Sequence, residues 1–528
     1  MKKHAISAAV LAMILMALPG GSGSARASSK HLDGKLVISG FVKETAFIRT
    51  AYLDREKRFH DSSVDFLLTS ALFEALYTLA DSPDMTVRLF GSLKWWWQKA
   101  HYFDQDYRRS IAHRDRKDWV HPRSFHDDIL TEAYVDIIRG PLEVRVGKQI
   151  VIWGQLDLER VADVVNPLDL RRGPPGVNPW EEVKMGLWMI RALYQSELPG
   201  NLLFEMIVNP GDFRNIEVPY EGIQTGVPVA KVRFFDAERQ KFGIFHWTRE
   251  KWSRDAPGWN LEDNWEFGFR VRGFTRGIDW TLLYWNARDD GPVAHPGRIN
   301  EFTMPFIRSG IATAARGRWV PPPDWPGYKV FYFKRYQTVG GTAQFYSQRL
   351  WDTVWRLEWF FEIGRPVNKG TRGDSGAVYG WTRRNILGVA LQCNKRFKIP
   401  WFTRSSIACN AMLDTAVTYG WEKVFNHDHD LVLSDRNHYW RASTNDVVTL
   451  FLMQPLFNQK FTFVFLGNYH LRTGKWQAIP VLAYCFPGIH WRADLGYVAY
   501  GGARREWVRT SGSIPSNDMA ILRLRYEF

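Results

Sequence analysis

Short segments in which every second residue is apolar recur along the chain. Trp265, Phe267, Phe269 and Val271 alternate with Glu266, Gly268, Arg270 and Arg272; past a turn at 275–277, Ile278, Trp280, Leu282 and Tyr284 share a face. Side chains on a strand point to opposite faces with period two, so each segment predicts a strand that is apolar on one face and polar on the other. The form repeats at Val87, Leu89 and Leu93, at Ala133, Val135 and Ile137, and at Leu142, Val144 and Val146. It returns at Trp355, Leu357, Trp359 and Phe361, at Phe461, Phe463, Phe465 and Tyr469, and at Trp491, Ala493, Leu495 and Tyr497.

The connections sort by length. Short turns are predicted at 81–84, 139–141, 196–200, 275–277, 347–352, 396–403, 455–459 and 486–488. Long polar stretches fall between them, at 98–128, 289–329, 365–381 and 414–444. Such alternation predicts an all-β fold: a transmembrane up-and-down antiparallel β-barrel with short periplasmic turns and long extracellular loops. Eight turns pair sixteen strands and one strand at each end brings the count to about 18, with a further hairpin at 232–247 as the upper bound, about 20. At the C-terminus Leu522, Leu524, Tyr526 and Phe528 alternate with Arg523, Arg525 and Glu527. A terminal amphipathic strand ending on an aromatic resembles the assembly signal of Gram-negative outer-membrane barrels. As a soluble edge strand it would invite aggregation.

The first residues read differently. Lys2 and Lys3 precede an apolar run from Ala5 to Leu18, and Ala25-Arg26-Ala27 is a small-x-small cleavage site. Residues 1–27 are therefore expected to be a cleaved signal peptide and residues 28–528 a single barrel domain. The chain has 528 residues, 45% hydrophobic and 15% aromatic, with 25 Trp and a formal net charge of +14. The aromatic content excludes a disordered chain. Beyond the leader no apolar run is long enough for a membrane-spanning helix. Three cysteines make no disulfide framework. A basic total can signal nucleic acid, but with export expected, basic groups inside a pore account for it better.

Apolar faces toward lipid turn the other faces inward. The lumen-facing candidates are Arg88, Arg145, Arg270, Arg272, Arg356, Arg492, Arg523 and Arg525, with Glu143, Glu266, Glu358 and Asp494. They make either a wall of paired charges or an anion-attracting pore, since rings of Arg favour anions. Trp95-Trp96-Trp97 reads as part of an interfacial aromatic girdle or as a ligand-stacking platform. Asn426-His427-Asp428-His429-Asp430 lacks a recognised ligand spacing and reads as a solvated loop. Cys393, Cys409 and Cys485 fall on predicted strands, and their pairing is open. The chain has no Cys-x-x-Cys-His, no Gly-x-Ser-x-Gly and no phosphate loop. No catalytic residue, metal or cofactor is assigned.

One stretch carries a resemblance. Gly147-Lys148-Gln149-Ile150-Val151-Ile152-Trp153-Gly154 is followed by Asn166-Pro167-Leu168-Asp169. The two resemble the Gly-[Arg/Lys]-Gln-x-Val-x-Trp-Gly and Asn-Pro-x-Asp motifs of a large Gram-negative outer-membrane family known only as a domain of unknown function. Gln155 stands where members often carry an acid. The resemblance implies an outer-membrane barrel acting with exporter systems for hydrophobic or amphiphilic compounds. Alginate-export porins are a more distant likeness. Residues 153–183 are rich in Pro and Gly, and two placements are open. They fold into the lumen as a constriction carrying Asp163, Asn166, Pro167, Asp169, Arg171 and Arg172, or they pack on the outer rim.

The function expected first is a channel for passage or export of small or amphiphilic, in one reading anionic, solutes. The alternatives are a sheath or docking component of a trans-envelope export or electron-transfer complex and, third, an outer-membrane lipid hydrolase. The expected partners are outer-membrane lipid, the barrel-assembly machinery, and an inner-membrane exporter or periplasmic protein. Nucleic acid is not among them.

Overall fold

The alternating segments pair, each with the next, into eighteen antiparallel strands. In a computed structural model they run β1 (Leu36–Arg49), β2 (Val64–Asp81), β3 (Thr86–Gln98), β4 (Leu130–Arg139), β5 (Leu142–Gln149) and β6 (Leu187–Gln195). Then come β7 (Leu203–Pro210), β8 (Trp265–Thr275), β9 (Ile278–Arg288), β10 (Arg335–Ser347), β11 (Thr353–Gly370) and β12 (Val378–Phe397). The last six are β13 (Leu413–Val424), β14 (Thr444–Leu456), β15 (Phe461–His470), β16 (Trp476–Cys485), β17 (Trp491–Gly501) and β18 (Met519–Glu527). The structure describes residues 28–50, 64–99, 121–122, 124–157, 160–171, 178–216, 232–236, 241–245, 254–255, 259–291, 293–294, 331–370, 378–435, 438–440, 442–472, 474–501 and 518–528. The expected leader lies outside them.

The sheet closes where β18 pairs with β1, from Phe41 opposite Glu527 to Arg49 opposite Met519. Closure removes the edge that a terminal amphipathic strand would otherwise present. Phe528 finishes the seam: its backbone exchanges two hydrogen bonds with Gly40, each 3.0 Å. Its ring covers that glycine so closely that a Cβ there would come within 2.7 Å of it.

The alternation sorts as the sequence predicts. Trp265, Phe267 and Phe269 face outward and are exposed, whereas Glu266 and Gly268 between them are buried inside. An exposed apolar band on a closed antiparallel sheet of even strand number is the lipid-facing surface of an outer-membrane barrel. Among the described residues no helix is long and apolar enough to cross a membrane.

The structure corrects several expectations. The stretch 365–381 is mostly strand, because β11 and β12 extend beyond their neighbours and leave only 371–377 between them. Residues 414–424 continue the alternation as β13, so the connection there begins after Val424. The hairpin near 232–247 forms as Val232–Asp236 paired with Lys241–Phe245, but as a two-stranded sheet separate from that of the barrel. Cys409 is in the turn between β12 and β13 with a φ of +50°, not on a strand. It, Cys393 and Cys485 are free thiols. Trp96 of the tryptophan triplet faces inward and is buried, and only its neighbours belong to the outer face. The histidine-rich stretch is a partly exposed loop, consistent with the sequence reading, in which Asp428 and Asp430 pair with Lys369 and Asp428 also pairs with Arg384.

The motif glycine Gly147 has a φ of +138°, and a Cβ on it would meet the Ala133 carbonyl oxygen at 2.2 Å. It lets β5 run flush against β4 at the point where the chain leaves the wall. Gly147→Val is expected to lower the heat-resistant folded fraction of the refolded protein on semi-native gels by more than half, with a destabilisation of roughly 3 kcal/mol for a clash and a strained φ together. A fraction equal to that of the wild type contradicts this role.

Candidate functional site: a segment folded across the lumen

A barrel of this width cannot be filled by its wall side chains alone. Part of the inner wall is apolar, which the sequence analysis did not anticipate. Leu187, Met189, Ile207, Leu283, Trp285 and Ala287 of β6, β7 and β9 are buried on it. The segment 150–186, between β5 and β6, packs Val151, Trp153, Ala162, Val164 and Val165 against this patch. Trp153 is fully buried, edge-on to Trp285 at 5.7 Å and beneath Arg270 at 5.8 Å. Burying each large apolar side chain contributes about 1.5–3 kcal/mol, so Val151, Trp153, Val164 and Val165 together offset part of the entropy lost in ordering a segment that would otherwise stay in water.

Polar contacts carry the segment on to distant strands. The Glu358 carboxylate of β11 accepts hydrogen bonds from the backbone N–H groups of Gln155, Leu156 (2.7 Å) and Ala162 (2.9 Å). Asp157 accepts from Arg356 of β11 (2.8 Å) and from Gln392 (2.7 Å) and Asn394 (3.1 Å) of β12. At the other end of the segment Trp180–Val183 makes one helical turn. There Glu182 meets Lys43 of β1 at 2.5 Å and Arg525 of β18 at 3.8 Å, and its carbonyl accepts from Lys94 of β3 at 2.5 Å. One connection thus touches β1, β3, β6–β9, β11, β12 and β18, and contacts on all these strands are met only by a path through the lumen.

The segment is also tied to itself. Asn166 accepts from the Val151 N–H (2.7 Å) and donates to the carbonyls of Gln149 (3.1 Å) and Met185 (2.8 Å), closing its two ends together. Asp163 accepts from the Trp153 N–H at 3.2 Å and forms a buried ion pair with Lys184 at 2.8 Å. The Pro167 carbonyl accepts from the Met185 N–H at 2.9 Å. Asp169 pairs with Arg171 at 2.7 Å, and Arg171 also meets Asp128 at 3.4 Å and covers Trp96 at 5.4 Å. Arg172 lies outside the described residues. Lys148 of the motif points the other way and donates to the His126 and Leu130 carbonyls.

Most of the inward charges are matched. Arg145 pairs with Asp136 (2.6 Å) and reaches Glu143 (3.8 Å). Glu205 bridges Arg191 and Arg270, each at 2.6 Å, and Arg272 pairs with Asp279. Asp494 serves Arg492 (2.7 Å) and Arg523 (3.4 Å), and Arg525 meets Glu527 at 2.9 Å. Glu266 is buried, accepting from Asn209 (3.1 Å) and the Arg288 N–H (3.0 Å). Arg88, near the short-turn end of β3, stays exposed. Lys43, Lys94, Asp157, Lys184 and Glu182 are not among the residues that the sequence pattern places in the lumen. Lys43 shares the inward face of β1 with Phe41 and Thr45, but Glu44 lies on the outer face, so no clean apolar–polar alternation marks it; Glu182 has no periodic pattern around it.

Glu182 carries a pH dependence. Burial alone would raise its carboxyl, but Lys43, Lys94 and Arg525 outweigh burial and hold it below the ordinary glutamate value of 4.5. A depressed carboxyl stabilises the latched state fully above that value and loses this contribution as pH falls through the depressed one. Ion conductance in planar bilayers is therefore expected to be flat from neutral pH to about 5 and to rise in stronger acid, and Glu182→Gln is expected to remove the rise and to conduct more at pH 7. An acid response that persists in Glu182→Gln excludes this latch as its origin.

These features define a class: a closed eighteen-stranded transmembrane β-barrel of the outer-membrane type, with an internal segment latched across its lumen. The chain belongs to the family described as "Protein of unknown function (DUF1302)", whose profile matches residues 68–465. No curated protein matches the sequence. Solved structures with a similar barrel layout include Acinetobacter baumannii OccAB3, 10% identical, with 93% of this chain and 99% of that chain covered and a TM-score of 0.47. Pseudomonas aeruginosa OpdK with vanillate is 8% identical over 93% and 98% of the two chains, with a TM-score of 0.45. Salmonella typhi OmpF in complex with daunomycin is 11% identical over 95% and 100%, with a TM-score of 0.40.

Proposed function

We propose that the protein is an outer-membrane channel whose conductance is set by the segment 150–186, and that it passes small or amphiphilic, preferentially anionic, solutes. The observation that carries this reading is the latch. Glu182 is held by Lys43 and Arg525 on one side of the ring, while Asp157 and the Glu358-bound amides sit on the other. A purely structural sheath needs no internal segment tied by separable ion pairs to distant strands. Export in company with an inner-membrane exporter or a periplasmic partner belongs to the same proposal.

The test is single-channel current from the refolded mature protein in a planar bilayer under a salt gradient. The proposal expects small, anion-selective unitary currents that grow when Glu182 is changed to Gln. A correctly folded barrel that passes no current, as wild type and as Glu182→Gln, favours the sheath.

A further inference from the structure

We infer that the seat occupied by Glu182 is a binding site for an amphiphilic carboxylate, and that such a molecule opens the channel by taking the place of Glu182. The inference deepens the channel proposal and rests on it for the opening step. Lys43, its side chain 4% exposed, and Arg525 face a single carboxylate from the segment, with Lys94 holding the adjoining carbonyl. Arg525 keeps Glu527 as a partner at 2.9 Å, but a buried Lys43 left without its carboxylate is costly, so the segment leaves readily only if another anion replaces it. Beside Lys43 on the same inner face are the hydroxyls of Ser70, its direct cross-strand partner, and Thr45, one inward position along β1. Both hydroxyl oxygens are buried and make no hydrogen bond among the described residues. A carboxylate entering from the lumen has two oxygens with which to use them, whereas Glu182 approaches on a fixed helical turn.

Past Thr45 and Arg523, the wall beyond the seat turns apolar. Toward the long-connection end, the next inward positions lead from Lys43 past Thr45 to Phe47 on β1, from Arg525 past Arg523 to Ile521 on β18, and from Ser70 past Leu68 to Phe66 on β2. Phe47, Phe66, Leu68, Trp96 and Ile521 form one buried cluster with Met519 and Val498. Two inward steps are four residues, roughly 13 Å at about 3.3 Å per residue. Cationic groups at one end and, by the second inward step ~13 Å away, a cluster of aromatic and aliphatic side chains match a carboxylate head with a medium-length hydrocarbon tail.

Binding of radiolabelled decanoate to the full mature protein in lipid nanodiscs tests this, with unlabelled acetate (head only) and decanol (tail only) as competitors. Saturable binding of one decanoate per chain is expected, displaced weakly by acetate and not by decanol. Lys43→Met is expected to bind about tenfold more weakly, because it removes a charge-assisted contact. Glu182→Gln keeps the seat intact and is expected to bind about tenfold more tightly, since no internal carboxylate competes. Thr45→Val with Ser70→Ala, which preserves the barrel wall, is expected to weaken binding severalfold. Equal competition by decanol, or affinities unchanged in both Lys43→Met and Glu182→Gln, overturns the inference. Conductance separates the two proposals. Decanoate that binds in the expected variant pattern without any current upholds the site and defeats the channel; current without saturable binding defeats the site alone.

Discussion

Deleting residues 168–177 is expected to raise the single-channel conductance of the barrel severalfold while leaving the folded barrel intact. The deletion removes Leu168 and Leu170, which pack on Val183, and Arg171, which covers Trp96 and meets Asp128. It also removes the pairing of Leu168 with Lys184. The turn Trp180–Val183 then loses the support that delivers Glu182 to Lys43, and each buried aliphatic side chain lost costs about 1.5–3 kcal/mol of closure. Of these residues, 168–171 are described and none of the four belongs to a wall strand, so strand pairing and the seam between β1 and β18 are expected to stay as they were. An unchanged unitary conductance in a heat-resistant folded barrel contradicts occlusion by this segment.

The second large effect is expected at Lys184. Its ammonium and the Asp163 carboxylate are 2.8 Å apart, and both side chains are at most 1% exposed. A buried pair contributes little by its presence, but removing one member strands the other and costs roughly 3–5 kcal/mol. In Lys184→Met the carboxylate of Asp163 loses that pair while it still accepts from the Trp153 N–H. The segment is expected to open locally, with amide hydrogen exchange accelerated by two to three orders of magnitude across 151–171 and unchanged in the wall strands. Combining Lys184→Met with Asp163→Asn is expected to recover most of the protection, because the second change removes the stranded charge. Equal protection in wild type and Lys184→Met contradicts a structural role for the pair.

The barrel was legible because its rule is local. Lipid outside and polar groups inside impose a period of two on every strand, and Trp265 to Arg272 or Leu522 to Phe528 display it without reference to the rest of the chain. The ends of β11 and β12 were missed because strands that project past the lipid need no apolar face, so their alternation fades into what reads as loop, whereas β13 does alternate, with Val417 and Tyr419 exposed on its outer face. The inner wall was misjudged for a related reason. Leu187, Met189 and Ile207 face an internal segment instead of water, and no local pattern distinguishes an apolar residue facing lipid from one facing a plug. The motif signalled that residues 147–169 matter. It could not say that Asn166 closes the ends of the segment, that Gly147 is needed for backbone approach to β4, or that Glu182 meets Lys43, because these contacts join residues up to 139 positions apart.

Crossing of the lumen by the segment is the central claim, and a cross-link tests it most directly. With Cys393, Cys409 and Cys485 replaced by Ser, cysteines at positions 43 and 182 are joined by a short bismaleimide in the folded protein in bilayers, and unitary current is recorded before and after. The account predicts efficient cross-linking between Lys43→Cys and Glu182→Cys, with the linked barrel fixed in its low-conductance state even in acid. Failure of this pair to link, while a control pair across the seam at Thr45 and Arg523 links normally, would place the segment away from β1 and contradict the account.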